Sequence, residues 1–453
     1  MKYLVQKQRN YFNTHETKDI KFRLQQLKKL ELLLKANEKN IYEAIYKDFK
    51  KSEFDTFVTE LALLYHDIKD AKKNLYKWAR RKRVSTNMLN FPAKSYVIPE
   101  PLGVCLVIGA WNYPYQLTLA PVIAAMAAGN TVIIKPSELS SCTSAVMAKL
   151  INNNFDPEYL KVIEGGIPET TALLDQKFDK IFFTGSTQVG KIVYQAAAKN
   201  LTPVTLELGG KSPAFVTEDC NLKMTVKRLV WAKYLNAGQT CIAPDYVLVH
   251  SSVENEFLKL LKAEIEKENF SIENGNFTQI INNRNLERLS QMIDSEKVYI
   301  GGEIISSDKF IQPTVLQGVS FEDKVMQEEI FGPILPVISY NKLEEAIQQV
   351  YDLPKPLSCY IFTDKKDQKN KILNEISFGG GAINDAVMHI ANSKLPFGGV
   401  GNSGIGSYHG QSGFKTFSHY KSILEKSTLM ELSLKYYPHS KSKLNWIKRF
   451  MGL

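Results

Sequence analysis

The stretch PLGVCLVIGAWNYPYQLTLAPVIAAMAAGNTVII, residues 101–134, contains no charged side chain. On length alone it would suit a membrane span. Gly103, Gly109, Asn112, Pro114, Pro121 and Gly129 cut it into pieces too short to cross, so it reads as a buried strand, a turn and a buried helix. The pattern then repeats. Apolar runs at residues 104–108, 131–134, 159–163, 181–183 and 204–206 alternate with helical stretches at 117–128 and 189–198. Strands alternating with helices imply βαβ units and a doubly wound parallel sheet.

A second alternating region follows, with strands predicted at residues 246–249 and 335–339 and helices at 253–267 and 342–351. The expected fold class is therefore α/β, with two doubly wound units meeting near residues 208–211. Ahead of both, Leu24, Leu27, Leu30 and Leu34, then Phe57, Leu61, Leu64, Ile68, Leu75 and Trp78, recur at helical spacing. The first 80 residues should be helices with one buried face.

Bulk properties exclude several classes. With 453 residues, 44% of them hydrophobic, the chain can build more than one core. Its five cysteines (Cys105, Cys142, Cys220, Cys241, Cys359) are scattered and form no C-x-x-C pair, which argues against a disulfide framework or a thiolate zinc site; no metal is expected. The opening residues hold no apolar core of a secretory signal, and a cytoplasmic setting is the simplest expectation. The net charge of +10 comes from residues 1–94, where 22 Lys or Arg face 11 Asp or Glu. Those cations are spread along amphipathic helices, with only Arg80-Arg-Lys-Arg83 clustered, so they read as a solvated face; no nucleic-acid partner is expected.

The chemistry centres on Cys241, in Asn236-Ala-Gly-Gln-Thr-Cys-Ile-Ala-Pro244, and on Glu207, in Thr205-Leu-Glu-Leu-Gly-Gly-Lys-Ser-Pro213. A thiol in an open, turn-flanked position can attack a carbonyl, and a carboxylate at a strand end can activate water against the resulting thioester. Asn112, in the turn after the first buried strand, offers a neutral amide donor to an oxyanion.

Nucleotide-binding features surround this pair, although no G-x-G-x-x-G is present. Phe183-Thr-Gly-Ser-Thr-Gln-Val-Gly190 joins a strand to a helix, so Gly185 permits a tight turn and the following N–H groups can receive a pyrophosphate. Lys135 and Glu138 end another strand, placed for an adenosine ribose. In Glu329-Ile-Phe-Gly-Pro333 an acid and an aromatic ring could hold a second ribose and a flat heteroaromatic face.

Together with Trp111-Asn-Tyr-Pro-Tyr115, Gly238-Gln-Thr-Cys-Ile-Ala-Pro-Asp-Tyr246, Leu395-Pro-Phe-Gly-Gly-Val-Gly401, Tyr408-His-Gly410 and Thr416-Phe-Ser-His419, these motifs run in the order of a known family across nearly the entire chain. The chain resembles an aldehyde dehydrogenase, and specifically the class 3 branch that takes fatty and aromatic aldehydes. The resemblance implies Cys241 as nucleophile, Asn112 as oxyanion donor and Glu207 as deacylation base. It assigns Lys135 and Glu138 to the adenosine ribose, Gly185, Ser186 and Gly190 to the pyrophosphate turn, and Glu329 and Phe331 to the nicotinamide end. Tyr65, Tyr115, Thr240 and Ile242 match positions lining an apolar substrate tunnel. The cofactor is NAD or NADP: Glu138 would crowd a 2′-phosphate, and Lys135 could attract one.

The implied organisation is an aldehyde dehydrogenase-like fold. Its dinucleotide-binding domain takes residues 1–80 and 101–208, its catalytic domain residues 209–416, and residues 81–100 and 417–453 supply a small β oligomerisation element and a tail. A homodimer is the implied assembly. The tail from Lys441 to Leu453 interleaves cations with Trp446, Ile447, Phe450 and Met451, the composition of an interfacial helix. Packing against the partner subunit or its own body is the leading expectation for it, and peripheral membrane contact the lesser one. Rival readings are a coenzyme A-acylating or semialdehyde dehydrogenase, a cysteine hydrolase using His389 or His409, and a non-catalytic relative.

Overall fold

A computed structural model describes residues 1–452; Leu453 and the side chain of Phe450, both part of the tail read above, lie outside the described residues. The chain divides into two compact units, one of residues 1–78 and 101–418, the other of residues 79–100 and 419 onward.

The larger unit holds both predicted sheets. In the first, the strands run in the order Gly404–Ile405, Val204–Glu207, Lys180–Thr184, Val104–Ile108, Thr131–Lys135, Leu160–Val162. All neighbours are parallel except the short Gly404–Ile405, which pairs antiparallel with Val204–Glu207. The chain winds outward from Val104–Ile108 in one direction, then returns to place Lys180–Thr184 on its other side. That reversal opens a crevice beyond the carboxyl ends of these two strands, where α/β sheets bind ligands. Asn112 and Gly185 both lie in the loops that leave those ends.

Why these residues form this sheet follows from their apolar character, the only charges in its three longest strands being Lys135 and Lys180 at strand ends. The runs at 104–108, 131–135 and 180–184 are buried throughout, as strands covered on both faces must be. Val104, Leu106, Ile108, Ile133, Ile181, Phe183 and Leu206 form one core with Val5, Leu173 and Val193 from covering helices. The helix Gln116–Ala128 is apolar on every side and almost wholly buried, ending at Gly129 with φ 95°.

The second sheet has seven strands, ordered Val298–Ile300, Thr314–Leu316, Ile334–Tyr340, Tyr246–His250, Pro213–Val216, Ser358–Phe362, Gly380–Ile383. It is parallel but for the edge pair Val298–Ile300 with Thr314–Leu316. The smaller unit contains a three-stranded sheet, Lys82–Val84, Ala93–Pro101 and Ser418–Lys426, with Ala93–Pro101 in the middle. Its helix Lys441–Phe450 begins at Ser440, whose hydroxyl accepts from Lys443 N. Leu444 and Trp446 on that helix are exposed. Among the described residues no helix is long and apolar enough to cross a membrane.

Candidate active site

Cys241 owes its place to a strained turn. Asn236, Ala237 and Gly238 all adopt left-handed backbone, with φ of 55°, 52° and 71°. At Gly238 a side chain is impossible, since a Cβ would lie 2.2 Å from Gly332 O. At Asn236 and Ala237 such conformations cost on the order of 1–3 kcal/mol each and persist only where neighbours enforce them. Here the neighbours are amides. Asn236 Nδ2 donates to Asn112 O at 3.0 Å and to Gln239 O at 3.1 Å, while Gln239 Nε2 donates to Asn236 O and to Gln279 O. Ile281 N closes the network by donating to Gln239 Oε1 at 3.0 Å.

The same network fixes Asn112. This residue is buried, and its Nδ2 donates to Gln239 O at 3.0 Å, so the amide faces the loop that carries the thiol. Tyr113 lies alongside, its hydroxyl 2.6 Å from Thr240 Oγ1. Deeper in, a fully buried ion pair supports the turn. Lys51 Nζ is 3.0 Å from Glu60 Oε1 and 4.0 Å above the centre of the Tyr113 ring. Glu60 Oε2 accepts from Tyr115 N at 2.8 Å and Gln116 N at 3.3 Å, at the start of the helix Gln116–Ala128. A carboxylate at a helix N-terminus takes up donors the helix itself cannot satisfy.

Glu207 ends its strand fully enclosed, and neither carboxyl oxygen has a protein hydrogen-bond partner. Burial without a donor drives its carboxyl well above the usual range. Cys241 is pushed up to about 12 by burial, with the nearby carboxyls of Glu329 and Glu207 adding to it. Glu329 in turn is raised to about 8 by burial and by Asp245. The two carboxyls thus sit near enough to the thiol for their negative charge to disfavour the thiolate.

Glu329 packs so closely on Gly209 that a Cβ there would fall 1.9 Å from its Oε2. Its segment is held by Arg288, which donates to Glu329 O at 3.2 Å and Ile330 O at 2.6 Å, and by Asp245, which accepts from Ile330 N. Phe331, at φ 51°, sets its ring edge-on to Trp111 with centres 5.4 Å apart.

The nucleotide features occupy the crevice between the central strands. Gly185 N donates to Glu207 O at 3.0 Å, and a Cβ on Gly185 would strike the Phe183 ring at 2.6 Å. Ser186 caps the helix Thr187–Ala198 by accepting from Val189 N, leaving that helix N-terminus facing outward for an anion. Gly190 has a different duty from the one the sequence suggested. It sits a turn inside the helix, 2.6 Å from where its Cβ would meet Leu208, so its bareness brings helix and strand together. Lys135 Nζ is buried and donates to Pro136 O at 2.6 Å, with Glu138 Oε2 at 3.8 Å. One carbonyl leaves that ammonium with donors to spare, which suits a ribose beside the half-exposed Glu138.

Two expected substrate residues lie elsewhere. Tyr65 turns outward, its hydroxyl donating to Glu38 Oε1 at 2.6 Å and its ring meeting Phe57 and Lys35. On a helix, positions 63, 66 and 67 share a face and position 65 is rotated away, and it is Leu63, His66 and Asp67 that line a cavity with Gln116, Ile390 and His409. Tyr115 points toward Glu60, Asp48 and Cys142, whereas Tyr113 has Thr240 and Cys241 as neighbours. The sequence reading was thus two positions off in both places. Thr240 and Ile242 are buried on either side of Cys241, with Tyr360 Oη donating to Ile242 O. His389 and His409 stack on Phe397, with ring centres 6.2 Å and 5.2 Å away, and His409 is lowered to about 4 by burial. The charged groups around the thiol are carboxyls.

Comparison with known proteins agrees with this geometry: the model of the aldehyde dehydrogenase family matches residues 1–423. The chain belongs to the aldehyde dehydrogenase family. It is 47% identical to the 4,4'-diaponeurosporen-aldehyde dehydrogenase of Staphylococcus aureus, over 97% of this chain and 96% of that one. Aldehyde dehydrogenase family 3 member A2 of Pongo abelii is 45% identical over 100% of this chain and 94% of its own. A solved Staphylococcus aureus structure, the substrate-bound state of AldH, superposes with a TM-score of 0.97 at 46% identity, covering 99% of both chains. This aldehyde dehydrogenase resembles the class 3 enzymes, and it oxidises aldehydes to carboxylic acids with NAD or NADP.

Proposed function

We propose that this dehydrogenase works through Cys241, Asn112 and Glu207 on apolar aldehydes of medium or long chain, or aromatic ones. The observation that carries the reading is the pair of partnerless Glu207 carboxyl oxygens buried near the Cys241 thiol. A buried carboxyl without donors is costly to keep, and a water-activating base explains why it is kept.

Cys241 Sγ, once deprotonated, adds to the aldehyde carbon. The Asn112 amide and the Cys241 N–H stabilise the oxyanion, a contribution on the order of 10²- to 10³-fold per donor. Lys135, Glu138 and the Gly185–Ser186 turn hold the dinucleotide, with Glu329 and Phe331 toward its nicotinamide end. Bound there, the nicotinamide would supply the two-electron acceptor that turns the Cys241 adduct into a thioester. Glu207 as carboxylate takes a proton from water, the resulting hydroxide attacks the thioester carbonyl, and the acid leaves as Cys241 is freed. A water-activating Glu207 disfavours transfer of the acyl group to coenzyme A. Apolar specificity is supported by Leu63, Ile390 and the buried Thr240 and Ile242.

The same reading places the enzyme in the cytoplasm as a homodimer. The tail helix packs against the partner subunit or its own body. Its exposed Leu444 and Trp446 leave peripheral contact with an anionic membrane as the second reading.

Hexanal or benzaldehyde with NAD⁺ or NADP⁺, followed by absorbance of the reduced cofactor, tests the proposal. A rate that disappears in Cys241→Ala supports it and ranks the cofactors; a rate that survives refutes the assigned nucleophile. Higher kcat/KM for acetaldehyde than for hexanal would remove the apolar preference.

A further inference from the structure

Two cavities share one acid. The first, with Leu63, Gln116 and Ile390 in its wall, and a second, with Trp78, Ile123 and Tyr408, are both lined by Asp67 and His409. Among the described residues Asp67 is the one carboxyl in either wall. No hydrogen bond or ion pair reaches it: its helix neighbour His66 faces Ser393 Oγ at 3.2 Å, and Asp70 is held by Asn74 Nδ2 at 2.8 Å. The second cavity lies within electrostatic reach of the Cys241 site. Gln116 lies four residues beyond Asn112, and Tyr408 feels Cys241 and Glu207 as well as Asp67. The Tyr408 hydroxyl is buried without a protein partner.

We propose that Asp67 is a specificity-determining residue whose carboxylate turns away aldehydes bearing a distal anionic group while passing uncharged ones. The inference rests on the reading of Cys241 as the aldehyde site and adds to it the charge rule for the substrate. An uncharged tail meets apolar side chains such as Leu63 and Ile390 and polar groups that carry no like charge. A tail ending in carboxylate must approach a fixed like charge in a confined, weakly screened space. Two such charges about 7 Å apart at an effective dielectric of roughly 20 correspond to a factor of about 50 in kcat/KM.

The effect should vary with pH. Burial, with Asp70 adding, moves the Asp67 carboxyl up to about 7. The groups facing it are His66 and Asp70 on its own helix and Gln116, Tyr408 and His409 opposite; His409 is neutral above pH 6 because burial lowers it to about 4. Rejection of an anionic aldehyde therefore strengthens from pH 6 to pH 8 as Asp67 ionises.

The test compares methyl 6-oxohexanoate with 6-oxohexanoate, aldehydes of one chain length that differ in a carboxylate, with hexanal as reference. The unmodified enzyme should favour the ester by at least about 10-fold at pH 8 and by less at pH 6. Asp67→Asn should abolish most of that ratio, Asp67→Glu should keep it, and His66→Gln should leave both ratio and pH trend in place. Because the readout is a ratio, a general loss of activity cancels, and the pH trend needs no variant at all. Hexanal turnover with an ester-to-acid ratio near one, or a ratio unmoved by Asp67→Asn, overturns the proposal. Absence of hexanal oxidation would instead remove the apolar-aldehyde reading, and this one with it.

Discussion

Glu207 is a residue whose function and stability pull in opposite directions. Because burial raises its carboxyl, the folded protein holds that proton to higher pH than the unfolded chain. The stability this group contributes is complete below the unfolded value and falls as pH rises toward the folded one. Glu207→Gln removes the titration, so the variant should gain melting temperature over the parent at pH 8 more than at pH 5, read by differential scanning fluorimetry. Catalysis should move the other way: one rapid burst of reduced cofactor, then a steady rate lower by roughly 10²- to 10⁴-fold. Undiminished steady turnover would refute Glu207 as the deacylation base. In the parent enzyme, kcat should fall as pH drops through the raised Glu207 value, since only the carboxylate can accept the proton. Cys241 adds a second requirement, since burial and the neighbouring carboxyls of Glu329 and Glu207 hold its thiol up to about 12 and oppose the thiolate.

Between the residues and the fold stands the junction at the start of the helix Gln116–Ala128, where the Lys51–Glu60 pair carries most of the argument. Both side chains are fully buried, and Glu60 also accepts two backbone N–H groups from the turn that bears Asn112. Removing one partner strands a charge; removing both does not. Lys51→Met should therefore destabilise by about 3–5 kcal/mol, and the double change Lys51→Met with Glu60→Leu by less than the sum of the single ones, as measured by urea denaturation. Additive single effects would show that the two side chains do not act as a pair. None of this was legible beforehand, because Lys51 precedes the cap at Ser52 and Glu60 lies in a π-helical turn, Phe57–Leu61. The family resemblance placed Tyr65 in the substrate passage, whereas Leu63 lines the cavity. The first sheet, by contrast, was readable almost to the residue: runs buried on both faces are mostly apolar, and the expected 104–108 is the strand Val104–Ile108. Five strands of the second sheet went unread, Pro213–Val216, Val298–Ile300, Thr314–Leu316, Ser358–Phe362 and Gly380–Ile383, the last because Gly380-Gly381-Ala382-Ile383 carries almost no side-chain signal.

The smaller unit shows what a chain pattern cannot state by itself. Ser418–Lys426 mixes partly buried with exposed residues and buries none fully, and Lys82–Val84 is exposed throughout, so this three-stranded sheet covers little apolar surface of its own. Sheet edges left open in this way invite pairing with another chain. Sedimentation at micromolar concentration should accordingly give twice the 51.3 kDa chain mass. The tail then separates two partners by one truncation. Its helix presents Lys441, Lys448, Arg449, Leu444 and Trp446 to solvent, with no acid among them. If it packs on the partner subunit, a chain ending at Tyr437 should dimerise at least about 10-fold more weakly, while both forms float equally poorly with vesicles containing phosphatidylserine. A tether gives the reverse: only the full chain floats, the binding falls with added salt because several lysines meet anionic lipid, and dimerisation is untouched by the truncation. The dimer constant and the salt dependence together decide which surface those exposed apolar side chains serve.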